Sequence, residues 1–204
     1  MTNPVREEPM EAFNYLTVVT SIILGLGLSN LLVACAWLIQ GKAGQPVPFE
    51  YVVWLVLLFA LYITYWWAFW DYRGQVRWTL LSFFIMLAGP TGLFVITSLV
   101  IPDTTSQSFD PTAHYLGVRR LLFGGWAVLQ VWGIILAPLL KDGFKWSSFL
   151  NRYKYAQYLL LSTFLWGMYY PQNGQESPIV DLGVPIVLAV VLTYMLGAHR
   201  WILR

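Results

Sequence analysis

The chain has 204 residues, of which 58% are hydrophobic, 17% aromatic and 11% charged, and its net charge is +2. A soluble domain carries about 25% charged residues, so a surface this poor in charge has to face lipid, and so small a net charge excludes a nucleic-acid partner. The single cysteine, Cys35, excludes an intrachain disulfide and a cysteine-based metal cluster.

Residues 1–14 are polar and acidic (Glu7, Glu8, Glu11), unlike the basic start of a secretory signal. The apolar run behind them is too long for a signal core and reads as a retained first span. A helix needs about 20 mostly apolar residues to cross a bilayer. Six segments satisfy this: 15–40, 51–70, 78–101, 116–140, 155–170 and 179–199. Turn chemistry separates them, as in "GKAGQPVP", "DYRGQ" and "PQNGQESP". The fifth is the shortest and contains Gln157. The expectation is an all-α, polytopic transmembrane helix bundle of about six spans, forming a single integral membrane domain over residues 1–204. Lysine and arginine mark the cytoplasmic side. Nine of them (Arg6, Arg73, Arg77, Lys141, Lys145, Arg152, Lys154, Arg200, Arg204) fall on the side of the N-terminus and three (Lys42, Arg119, Arg120) on the other. This asymmetry predicts an N-in, C-in orientation.

In the first span, Thr17, Ser21, Gly25 and Ser29 recur every fourth residue and share one helix face. Small faces let membrane helices approach closely, so this stripe is expected either to pack within the bundle or to form a dimer face or substrate path with Ser29 and Asn30 as polar contacts. The second span ends in "TYWWAFWDYRGQVRW". Trp70, Tyr72 and Trp78 suit an interfacial aromatic belt beside Arg73 and Arg77. Trp67 and Asp71 share a face with Thr64, expected to point inward, where indole packing or a bound cation are the two readings. In the third span, Pro90 lacks an amide hydrogen and deprives the Met86 carbonyl of its helical donor. Thr91 or a neighbouring helix has to compensate. Pro185 acts similarly in the sixth span, and the two prolines fall at matching places in the two halves, as an inverted repeat would place them.

Asp110 and His114 stand at i, i+4 before the fourth span, which is too little for a metal centre. Arg119 and Arg120 follow within that span. They are expected either to snorkel outward or to send one guanidinium inward to Asp181, Glu50 or an anionic ligand. The fourth loop mixes Lys141, Lys145, Arg152 and Lys154 with Phe144, Trp146, Phe149 and Tyr153, which suits anionic lipid headgroups. No catalytic dyad, nucleotide-binding loop or zinc motif is found in the sequence, and no cofactor is implied.

The stretch "YLTVVTSIILGLGLSNLL" together with "YWWAFW" and "HYLGVRRLLF" resembles a group of uncharacterised small bacterial inner-membrane proteins. The resemblance implies a polytopic protein of the bacterial cytoplasmic membrane and brings no catalytic residue with it. Two functions remain open. One is a non-enzymatic accessory or assembly subunit, partnered by membrane lipids and by a second copy or another membrane protein. The other is a small-molecule or ion transporter with kinked helices at Pro90 and Pro185. They differ in the bundle centre: dry and filled for the first, polar and hydrated for the second.

Overall fold

A computed structural model describes residues 8–41, 47, 49–75, 77–101, 110–136 and 140. The expected fifth and sixth spans, the basic fourth loop, Pro185 and Asp181 lie outside them. Among the described residues the chain forms four α-helices: α1 (Glu8–Ile39), α2 (Phe49–Phe69), α3 (Leu80–Val100) and α4 (Pro111–Val131). A 3-10 turn, Trp70–Tyr72, follows α2, and a π-helical segment, Trp132–Leu136, continues α4. Three helices are long and apolar enough to cross a membrane, over Ala12–Ile39, Tyr51–Phe69 and Leu80–Val100. The chain is therefore an all-helical membrane protein in its described part.

The helix ends follow from local chemistry. The chain turns out of α1 at Gly41, whose φ of +66° is left-handed and suits a residue without Cβ. Helix α3 begins with a capping box in which the Thr79 hydroxyl accepts from Ser82 N–H and the Ser82 hydroxyl accepts from Thr79 N–H. It stops at Ile101, which is extended, as a residue before a proline (Pro102) prefers to be. Asp110 caps α4 by accepting from Ala113 N–H at 3.1 Å, and Pro111 occupies the first helical position, where its missing N–H costs nothing. Helix α4 starts earlier than the 116–140 span read from hydropathy, and His114, Arg119 and Arg120 leave it outside the three candidate membrane helices.

Neighbouring helices alternate in direction. At one end Phe13 of α1 stacks on Phe69 (5.3 Å between ring centroids) and lies 6.4 Å from Trp70 and 6.3 Å from Trp78. Gln75 in the α2–α3 turn donates to the Leu140 carbonyl at the same end. At the other end Tyr51 donates to the Val100 carbonyl (3.1 Å), and His114 Nε2 meets the Leu99 carbonyl at 3.1 Å. A carbonyl only accepts, so that imidazole nitrogen carries the proton. Asp110 and His114, weighed above as a metal pair, are instead a helix cap and a cross-helix tie.

Helix α1 buries Phe13, Leu16, Thr20, Leu24, Gly27, Leu31 and Ala34, a stripe with steps of three and four residues. Its other sides also carry large apolar residues, such as Ile22, Leu26 and Val33, which are exposed as lipid-facing residues would be. The small-residue stripe takes no part in this packing. Gly25 and Ser29 are exposed, Gly25 meets nothing within 4 Å of the position a Cβ would take, and the Thr17 and Ser21 hydroxyls bond to carbonyls of their own helix. The expectation that the stripe packs inside the bundle is thus corrected among the described helices. That seam is filled by Phe13, Leu16, Leu24 and Leu31, with Gly27 admitting the Tyr62 hydroxyl.

Candidate functional site

The position where polar backbone comes loose inside the bundle is Pro90. It is buried in α3, and the carbonyl it orphans, Met86 O, accepts the phenol O–H of Tyr65 from α2 at 3.1 Å. The preceding carbonyl, Ile85 O, accepts the indole N–H of Trp132 at 2.7 Å. The two rings stack on each other, 6.0 Å between centroids and 23° between planes. They fit because Gly89 leaves room: a Cβ there would lie 2.6 Å from the Tyr65 hydroxyl and 2.7 Å from Cζ2 of Trp132, and nearer still to its Cη2. The neighbouring helices therefore supply the compensation expected for Pro90, while Thr91 is exposed.

Trp132 reaches this place from the first residue of the π-helical segment. Pro138 follows two residues after this segment in the sequence and carries no N–H to donate. A wider local turn is a common answer to such a defect. Glycines set the spacing of α3 and α4 beyond Pro90 as well. A Cβ at Gly92 would stand 2.6 Å from Leu129, and one at Gly125 would stand 2.9 Å from Ile96. The pairs 89/132, 92/129 and 96/125 fall on one antiparallel register, each a large side chain seated over a glycine.

A second polar link lies toward the other end. Thr97 donates its hydroxyl to the Leu93 carbonyl at 2.8 Å, so the Tyr62 hydroxyl, 2.9 Å from Thr97 Oγ1, is the donor in that pair. The Tyr62 hydroxyl also presses on Gly27 of α1, where no Cβ would fit. Tyrosines 51, 62 and 65 thus fasten α2 to α3 through three hydroxyls.

The residues singled out in the sequence distribute differently. Ser29 and Asn30 are exposed on α1 and line no packed path among the described residues. Trp67 is 64% exposed, which overturns the inward face expected for it: α2 turns Tyr51, Trp54, Leu58, Tyr62 and Phe69 inward. Asp71 forms the middle of the 3-10 turn, and its side chain lies outside the described residues, as do those of Glu50 and Asp181. Arg119 is 3% exposed, on an α4 face shared with Tyr115, Leu122, Phe123 and Trp126, whereas Arg120 is exposed. One arginine has turned inward and the other outward. Trp54 lies beside that face, 5.8 Å from Phe123 and 6.3 Å from Trp126 between ring centroids. Among the described residues no group of three or more histidine, cysteine or acidic side chains gathers as a metal site would.

Tyr65, Trp132 and Gly89 were not legible as a group. Pro90 announced an orphaned carbonyl, but the donors stand on two other helices, and nothing in a linear reading says which aromatic residue meets which turn. No family model, curated protein or solved structure matches the chain.

Proposed function

We propose that the chain is a non-enzymatic, multi-pass subunit of the bacterial cytoplasmic membrane, serving assembly or accessory packing with a second copy or another membrane protein. The observation that carries this reading is the closure of the backbone gap at Pro90 by Tyr65 and Trp132. A transporter built on that gap needs the Met86 carbonyl facing a hydrated cavity. Here the carbonyl is taken by Tyr65, and the space beside it is filled by Trp132 over Gly89. Six spans with both termini inside remain our proposal for the whole chain, supported by the nine-to-three division of basic residues. The bacterial setting is supported by the sequence resemblance alone.

A transporter is the second reading, favoured by the burial of Arg119 within a bundle of apolar helices. An ionisable group inside a membrane protein is costly and marks many substrate paths. Native mass spectrometry after extraction in mild detergent separates the two. A stoichiometric protein partner or a discrete oligomer is the expected result. A monomer that retains a small molecule, and releases it when Arg119 is replaced by Gln, would reverse the order.

A further inference from the structure

We propose that the α2–α3 turn is a docking site for an anionic phospholipid, with Arg73 and Arg77 holding its phosphate. The turn is built rather than loose. Arg73 N–H donates to Trp70 O at 3.2 Å and Gln75 N–H to Tyr72 O at 3.0 Å. The Gln75 side chain is buried and donates to the carbonyls of Arg77 (3.3 Å) and Leu140. This tie links Gln75 to the Arg77 carbonyl, while the Arg73 and Arg77 side chains both stay exposed. The Arg73 guanidinium sits 5.7 Å from the centre of the Trp70 ring, a cation–π contact that holds it at the level of the indole. The turn runs into the N-terminus of α3, the positive end of that helix dipole.

Below the two charges the surface is apolar and open. Trp67, Leu81 and Phe84 are each more than 60% exposed at the adjoining ends of two membrane-crossing helices. A headgroup phosphate and its acyl chains match that order of charge above and apolar surface beneath, whereas a free anion would use only the charges. The ligand class is therefore a glycerophospholipid with net negative charge, bound at one edge of the membrane and independent of the closed gap at Pro90.

The test uses the full chain in mild detergent, titrated with phosphatidylglycerol or with phosphatidylethanolamine of the same acyl chains, and counts bound lipid by native mass spectrometry. Basic residues near a membrane surface favour anionic lipid by about fivefold each, so the pair gives a preference of about 25-fold. The basic fourth loop adds a preference of its own, so R73Q/R77Q should lower the parent's preference by about 25-fold, and R120Q, an exposed charge on another helix, should leave it unchanged. Equal binding of the two lipids, or an unchanged preference in R73Q/R77Q, overturns the proposal. Should the double variant not fold, R73Q and R77Q made singly decide: each should lower the preference by about fivefold, and an unchanged preference in both rejects the site.

Discussion

Two buried hydroxyls on neighbouring helices have opposite fates, and they mark where the interior is settled and where it is not. The Tyr65 hydroxyl serves a carbonyl whose usual helical donor Pro90 removes, whereas Thr20 Oγ1 on α1 is fully buried with no hydrogen-bond partner. An unmet polar group in an apolar interior costs about 1–3 kcal/mol. Tyr65→Phe should therefore lower thermal stability by roughly 1–2 kcal/mol, near the upper range measured for hydrogen bonds between membrane helices. Thr20→Val, which keeps the shape and removes the hydroxyl, should raise stability by up to about 1 kcal/mol. Melting in one detergent, followed by circular dichroism, checks both. A Tyr65→Phe protein as stable as its parent would mean that the Met86 carbonyl needs no donor. Of this contrast only the Pro90 half was legible in the sequence. A threonine in an apolar run reads the same whether its hydroxyl is met or not.

Each helix shows what hydropathy can and cannot say. The apolar runs located α1, α2 and α3 to within a few residues at most ends, because length and polarity limits for crossing lipid are strict. They did not identify the inner face, because lipid and protein interior are equally apolar and every side of α1 carries leucine, isoleucine or valine. The four-residue small stripe suggested packing, and the packing lies elsewhere. Glycines separate the two situations by experiment. Gly89 and Gly25 both lie within helices, yet one is covered by Tyr65 and Trp132 and the other meets open space. Gly89→Ala forces both rings to move and should destabilise by about 1–3 kcal/mol. Gly25→Ala should be neutral or stabilising by about 0.5–1 kcal/mol, since alanine holds a helix better than glycine does. Equal effects of the two substitutions would show that the α3–α4 register is not seated on its glycines.

On the scale of the whole molecule, alternation of the helices fixes which turns share an end even before a membrane is considered. The α2–α3 turn lies with the start of α1 and with Leu140, while Gly41 at the end of α1 lies opposite. In a Cys35→Ser background, Gly74→Cys should react with an impermeant thiol reagent only from the cytoplasmic side, and Gly41→Cys only from the other. Labelling with the two sides exchanged would overturn the N-in orientation, and labelling of both from one side would mean that α2 does not cross. The seal around Pro90 also has an order in time. Tyr65 is synthesised before the proline and Trp132 after it, so α3 enters the membrane with one of its two aromatic covers already made and the other still to come. Until α4 arrives, the notch at Gly89 stands open beside Pro90. A chain halted there would show the membrane an unfinished surface of the kind that insertion chaperones hold and quality-control proteases remove.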